Sequence, residues 1–225
     1  MARPITNLDA GGLVRDGAIV SGSLLSVLVF AIHPAVPSSG LALLETIHAH
    51  AGAWMVAHSL AFFDGLLFLV GGWVLCDRLA AWRPRPAKVA RVMLVVGSVA
   101  ISAISTGELV LGKVGQAVGN APPVALAMRF NHGGTGVFVG GLVLLHIIGL
   151  MTATVALWRA RVVPVVAVAA MFVGCVLFWD PSDGINPHVV LAGDFIRMLT
   201  LVAIVVCLRR AEAPLVIART PAVQP

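Results

Sequence analysis

The sequence predicts an all-α integral membrane protein, a polytopic bundle of six transmembrane helices. Three observations carry this prediction. Of the 225 residues, 59% are hydrophobic and only 11% are charged, the mean hydropathy is +0.99, and six apolar runs recur along the chain. A soluble domain is about one quarter charged, so this chain has too little charge to cover a water-facing surface.

The apolar runs are close to the length of about 17 to 25 residues that a helix needs to cross a bilayer. Pro84 and Pro86 are placed in the connection after the second run, and Pro164 in the first turn of the fifth, where proline is tolerated. A cytoplasmic N-terminal segment 1–16 precedes this single domain, and a tail 209–225 follows it. The predicted spans are residues 17–33, 51–76, 89–111, 133–157, 162–179 and 189–208.

The basic residues predict the orientation. Twelve of the fifteen Lys and Arg residues fall in the two terminal segments, in the connection after the second span and in that after the fourth. The opposite loops hold only Lys113 and Arg129. By the positive-inside rule both termini are cytoplasmic, in a bacterial-type cytoplasmic membrane. This distribution accounts for the net charge of +5 and argues against a nucleic-acid partner; the expected partner is the lipid bilayer.

Ionisable residues inside the spans are functional candidates, because each costs at least roughly 2 to 3 kcal/mol to insert. Asp64 lies near the centre of the second span, on one stripe with Trp54 and small residues that can face the bundle. Without a partner its carboxyl group can keep a proton at neutral pH, as a general acid or proton carrier requires. The structural alternative is a pair with Arg197.

Asp194 and Arg197 are three residues apart and share a helix face, which favours an ion pair that lowers the insertion cost. The functional alternative makes Arg197 a binding group for an anionic headgroup, or the charge that tunes Asp64. Glu108 lies about one turn from the outer end of the third span, where it is either a third site carboxyl group or a solvated side chain.

Five of the seven histidines lie at or near the outer side of the membrane. His132 and His146 share one face of the fourth span, so a single haem between His50 and His132 is one hypothesis. A divalent metal is another, since imidazole and carboxylate groups suit zinc or copper. The alternative is solvated or capping histidines. The candidate ligands are His48, His50, His132 and His188, with Glu45 one turn before His48.

The segments FAIHPAVP, HAGAWMVAHSLAFFDGLLFLVGGWVL, GELVLG and ALWRARVVP, within about residues 24–165, resemble a broad group of uncharacterised multi-pass bacterial membrane proteins. This resemblance implies topology and no activity. The chain length, helix count and isolated intramembrane carboxyl groups are similar to those of small integral-membrane terpene cyclases, an analogy of architecture alone. That analogy implies an acid among Asp64, Glu108 and Asp194. The aromatic residues it implies beside a substrate cation are Trp54, Phe62, Phe63, Phe195 and Trp179.

Three functions are therefore expected in turn. The first is an enzyme that uses a buried carboxylic acid on a lipophilic, isoprenoid-like substrate, with Arg197, His58 and His146 as further binding residues. The second is a proton-coupled transporter or accessory membrane subunit, with His58 and His146 in a proton relay. The third is a protein that binds haem b or a divalent metal. The first of these needs no cofactor.

Overall fold

The computed structural model describes residues 10–37, 40–117, 134–178 and 184–219, which contain seven α-helices and one pair of two-residue strands. Strand β1 (Val36–Pro37) pairs antiparallel with β2 (Gly184–Ile185). The helices are α1 (Ala10–Ile32), α2 (Gly40–Ala49), α3 (Ala51–Ala80), α4 (Pro84–Ala117), α5 (Gly134–Arg159), α6 (Val165–Phe178) and α7 (Pro187–Arg219).

Five of these helices are long and apolar enough to cross a membrane, which confirms the helical, multi-pass prediction. Helix α6 is also apolar but has 14 residues. It is shorter than the roughly 17 residues of a typical span. The count of six spans therefore stays a prediction. The five candidate spans are Gly11–Ile32, Ala51–Ala80, Pro84–Lys113, Gly140–Arg159 and Pro187–Ala213.

Several helices extend beyond the predicted spans, because hydropathy marks the lipid-facing length whereas backbone hydrogen bonding continues into the polar ends. Helix α4 begins at Pro84, so Pro84 and Pro86 lie in its first turn and not in a connection, as predicted. A proline there loses no intrahelical hydrogen bond. The short helix α2 was not predicted as a separate element.

The six long or apolar helices form a closed ring in the order α1, α3, α4, α5, α6, α7 and back to α1, while α2 packs against α3, α4 and β1. Neighbours in the ring run in opposite directions. We call the end that holds the connections 81–83 and 160–164 the basic end, and the end that holds the β1–β2 pair the opposite end. Helices α5 and α6 form the loosest contact in the ring.

Apolar side chains fill the half of the ring nearer the basic end. Leu79 of α3, Leu157 of α5 and Leu208 of α7 are fully buried there, together with residues of the other helices. A smaller cluster, which includes Ile47 and Trp54, lies at the opposite end. Buried polar residues occupy the layer between these two clusters.

Four charged side chains join α1, α3 and α7 at the basic end. The Arg78 guanidinium donates to Asp16 at 2.5 Å and to both carboxylate oxygens of Glu212 at 2.8 and 2.9 Å. Arg209 donates to the second oxygen of Asp16. We call Asp16, Arg78, Arg209 and Glu212 the basal ion network.

Two glycines allow α6 and α7 to come into backbone contact. A Cβ atom on Gly174 would lie 2.9 Å from the carbonyl oxygen of Gly193, and one on Gly193 would lie 2.8 Å from that of Gly174. No other residue type fits at either position without a shift. The same approach packs Arg197 of α7 directly onto α6, since a Cβ on Gly174 would be 2.7 Å from its Cγ.

Candidate functional site

A cavity of about 240 Å³ lies in the polar layer inside the ring. It extends from His33 and Leu43 near the opposite end to Ser26 and Asp64 deeper in the bundle; on α3, Trp54 and Asp64 are separated by about 15 Å of helix. We call it the central cavity. Its walls are Ser26, Val29, Phe30, His33, Leu43, Trp54, His58, Ala61, Asp64, Ile101, Ile104, Ser105, Glu108, Val143 and Phe178.

Asp64 is the deepest acidic residue of the central cavity and is 4% exposed. Its Oδ1 atom is buried with no hydrogen-bond partner among the described residues. Its carboxyl group is close enough to the Ser26 hydroxyl and to Arg197 to interact with both. The next residue, Gly65, lets α3 approach α4, because a Cβ atom there would lie 2.8 Å from the Ser98 carbonyl oxygen.

Asp194 and Arg197 form the ion pair that their spacing predicts, and both side chains are 0% exposed. The Ser26 hydroxyl of α1 donates to the second carboxylate oxygen of Asp194 at 2.7 Å. Ser26 therefore stands between the two aspartates. We call Ser26, Asp64, Asp194 and Arg197 the central cluster.

The Arg197 guanidinium is held among aromatic rings. Its central carbon is 4.0 Å from the ring centre of Phe178 and 5.8 Å from that of Phe68, distances typical of cation–π contacts. Its Nε and Nη1 atoms have no hydrogen-bond partner among the described residues. The cation is thus fixed in place while part of its hydrogen-bonding capacity is unused.

Carboxyl groups outnumber cations in this layer. Glu108 also lines the central cavity, and its Oε2 atom is buried without a described partner. Asp64, Asp194 and Glu108 face one guanidinium, that of Arg197. Ionised carboxylates without partners are costly in a water-poor interior, so the arrangement suits bound protons or a positively charged ligand.

Two histidines and a tryptophan form the wall nearest the opposite end. The rings of His33 and His58 are 4.9 Å apart, and that of Trp54 is 4.4 Å from His58. Nδ1 of His33 lies 2.7 Å from the Pro34 carbonyl oxygen, and Nδ1 of His58 lies 2.9 Å from that of Trp54. Carbonyl oxygens only accept, so both histidines carry a proton on Nδ1, and the neutral rings keep a lone pair on Nε2.

His33 was not predicted as a site residue. It follows the last residue of α1 and is turned into the ring, where its ring also contacts Trp54 at 5.5 Å. Burial lowers its pKa, and the hydrogen bond to the Pro34 carbonyl opposes this shift in part. The only sequence signal is the His-Pro step at the end of the first span.

Trp54 joins α3 to α4 beside the cavity. Its indole N–H donates to the Glu108 carbonyl oxygen at 3.0 Å, and Gly112 leaves room for the ring, since a Cβ there would be 2.9 Å from it. The predicted site residues Trp54, His58, Asp64 and Glu108 are therefore brought into one cavity.

His146 lies behind this site and does not line it. The ring is fully buried, with its Nδ1 3.2 Å from the Ser98 hydroxyl and its centre 4.4 Å from that of Phe68. Its Nε2 has no described partner. Phe68 separates His146 from Arg197 and contacts both rings of the arrangement.

Three predicted aromatic residues lie outside the central cavity. Phe63 is 56% exposed and Phe195 is 49% exposed, both on the outer surface of the ring. Each directly follows or precedes a site residue in sequence, and adjacent residues point about 100° apart around a helix. Phe62 is half-buried against Phe63 and also does not line the cavity. Phe30 and Phe178 line it instead, whereas Trp179 is outside the described residues.

The proposed metal ligands are not assembled within the part of the chain that the structure describes. There, no group of three or more His, Cys, Asp or Glu side chains is placed to hold a metal ion. Glu45, His48, His50 and His188 are exposed. His132, the fourth predicted ligand and the predicted haem partner of His50, lies outside the described residues.

Comparisons of the chain with models of protein families, with curated proteins and with solved structures find no match. The function is therefore inferred from the chemistry of the site.

Proposed function

We propose that the protein is a membrane-embedded enzyme in which Asp64 acts as a general acid on a small lipophilic substrate, with an isoprenoid alkene or epoxide as the substrate class. One observation carries the proposal: the Asp64 carboxyl group presents an unpartnered oxygen at the deep end of an aromatic-lined cavity. Acids and bases placed in this way are typical of catalytic sites.

The hydrogen bonds of the central cluster support a protonated Asp64. Ser26 has one hydroxyl proton, and it is directed to Asp194. Asp64 can then hydrogen-bond with Ser26 only by donating its own proton to the Ser26 oxygen. Arg197 is paired with Asp194, so its charge is balanced without a second carboxylate. A proton on Asp64 thus satisfies both donors and acceptors in this row.

The expected reaction needs no oxidant or reductant. The O–H bond of Asp64 breaks, and the proton forms a new C–H bond at one end of an alkene, or protonates an epoxide oxygen as a C–O bond opens. The resulting carbocation is attacked by a second alkene of the same molecule or loses a proton from the adjacent carbon. The lone pair on Nε2 of His58 can accept that proton, and Asp64 is reprotonated from water.

The cavity walls suit a cationic intermediate. Phe30 and Phe178 line the cavity in edge-to-face contact with ring centres 6.1 Å apart, and Trp54 lies opposite. Aromatic faces attract cations, and the excess of carboxyl groups adds to this attraction. The volume of about 240 Å³ is near the lower limit of small-molecule sites, about 300 Å³, which favours short-chain substrates.

The test uses purified protein, a panel of short isoprenoid alkenes and epoxides, and product analysis by gas chromatography–mass spectrometry. We expect Asp64→Asn to abolish cyclised or isomerised product, by at least about 100-fold as is typical for loss of a general acid. Asp77→Asn, in the exposed part of the same helix, is the matched control and should keep wild-type turnover. Equal turnover of Asp64→Asn and wild type would exclude the acid role.

Proton-coupled transport is the second candidate, favoured by the row of ionisable groups that leads from His33 past His58 to Asp64. The apolar cluster and the basal ion network close the basic half of the ring, so transport would require that half to open. Vesicle flux that follows an imposed pH gradient, without product formation, would favour this function over the enzyme.

We also propose six spans, with α6 as the sixth, and both termini on the cytoplasmic side. The antiparallel ring places the start of α1 and the end of α7 at the basic end, and the positive-inside rule assigns this end to the cytoplasm. Topology reporters inserted at residues 83 and 162 should both report the cytoplasm. An opposite location for residue 162 would show that α6 does not cross.

A further inference from the structure

The largest groove on the outside of the ring lies at its loosest contact, between α5 and α6, and has a volume of about 700 Å³. Helix α5 contributes Ile148 and Val155, and α6 contributes Phe172 and Val176. Apart from Thr152 and Arg159, the lining side chains are hydrophobic. This groove is separate from the central cavity and does not depend on the role of Asp64.

The groove has a polar end. Arg159, in the last turn of α5, lines it at the basic end, while the lining begins at Leu144, about 22 Å away along α5. That length covers much of the hydrocarbon thickness of about 30 Å. An apolar channel of this length with one cation at the membrane surface matches the division of a phospholipid into acyl chain and phosphate.

Further cations surround this end. Arg83 donates from Nη2 to the Arg159 carbonyl oxygen at 2.8 Å, which places a second guanidinium beside the first. Arg161 follows in the connection, with a positive φ of 60°. Within the described residues none of these three arginines forms an ion pair with a carboxylate. The unbalanced charge therefore favours an anionic group from outside the chain.

We propose that this groove binds an anionic membrane phospholipid, with an acyl chain between α5 and α6 and the headgroup phosphate on Arg159. The shape of the groove favours a lipid chain over a partner helix. Helices that associate within membranes use small residues at the contact, whereas Ile148, Met151 and Phe172 make this surface bulky. Arg159 binds as a donor of paired N–H groups to phosphate oxygens.

The test measures lipid retained by the purified full chain with native mass spectrometry, after addition of phosphatidylglycerol or phosphatidylcholine of the same chain length. We expect the wild type to prefer phosphatidylglycerol by roughly fivefold for each arginine that contacts the headgroup, from the attraction of one basic residue to an anionic lipid. Arg159→Gln should reduce this preference by that factor. It keeps the backbone carbonyl that Arg83 uses.

Two variant pairs keep the result interpretable. Arg210→Gln changes an exposed arginine of α7 outside the groove and should keep the preference. Val176→Trp fills the groove and should lower retention of both lipids, while Val173→Trp, exposed on the same helix outside the groove, should not. Equal phosphatidylglycerol binding in Arg159→Gln and wild type would overturn the headgroup assignment. A dimer that only Val176→Trp dissociates would overturn the lipid as occupant.

Discussion

The basal ion network and the central cluster are built from the same residue types but differ in how completely they are satisfied. In the network, two arginines meet two carboxylates, and Arg78 alone makes three hydrogen bonds to them. In the central cluster one arginine meets two aspartates, none of them exposed. There, Oδ1 of Asp64 and two nitrogens of Arg197 lack a described partner.

Their positions explain which of the two is structural. The network lies at the end of the ring, where its members are partly exposed and water screens any mismatch of charge. The cluster lies in the middle of the bundle, where an unpartnered polar atom costs about 1 to 3 kcal/mol. A chain selected only for stability would place the complete set inside and the incomplete set outside. The reverse arrangement indicates that the cluster has chemistry to perform.

The strongest test of this comparison is Arg197→Met. It leaves Asp194 buried without its cation, and breaking a buried pair from one side costs about 3 to 5 kcal/mol. We expect a loss of folding free energy of that size, measured by reversible unfolding in mixed detergent micelles. The double variant Asp194→Asn/Arg197→Met removes both charges and should recover most of the loss. No recovery would show that Arg197 stabilises the fold by packing, not by charge.

A smaller loss is expected for Arg78→Met in the basal ion network. The change removes hydrogen bonds from a guanidinium to two carboxylates, worth about 1.5 to 3 kcal/mol in total because both carboxylates can turn to water or to Arg209. The same unfolding measurement should show this variant to be more stable than Arg197→Met. A larger loss for Arg78→Met would reverse the comparison, making the network the more critical set.

The smallest effect concerns pH and His33, which faces His58 and shares the cavity with Glu108 and Asp64. Burial lowers the His33 pKa below its ordinary value of 6.5, so below pH 6.5 the unfolded chain binds a proton that the folded chain does not. Stability should therefore be full above pH 6.5 and decline as the pH falls. A single group contributes a slope of at most about 1.4 kcal/mol per pH unit.

His33→Gln should flatten this decline between pH 7 and 5, whereas His48→Gln, at an exposed position, should leave it unchanged. Unfolding curves recorded at each pH provide the measurement. If both variants retain the wild-type slope, the pH dependence arises from other groups and not from the cavity wall.

The sequence was sufficient to predict the helices and the inward-facing charges, because lipid leaves few alternatives for either. Asp64, Asp194 and Arg197 had to face the interior, and the spacing of the last two required a common face. Glu108 and Trp54 reached the same cavity, joined by a hydrogen bond to a main-chain carbonyl that no sequence pattern records.

The rest depended on how the helices pack against one another. Ser26 gave no signal, since a serine in a span can bond to its own helix, and only the ring order places it between two aspartates. Phe63 and Phe195 were predicted from their proximity in sequence to acidic residues, but rotation by one residue turns them to the lipid. Which helix faces which is set by contacts such as Gly174 with Gly193, not by periodicity.

The closed ring has a consequence for the order in which the protein is made. The ring joins the first helix to the last, and the β1–β2 pair bridges the same distant parts of the chain. Helices enter the membrane in the order of synthesis, so Asp64 and Ser26 are already inserted before α7 delivers Asp194 and Arg197. During that interval the site is an open crescent, and α7 is the element that both seals the bundle and supplies its buried cation.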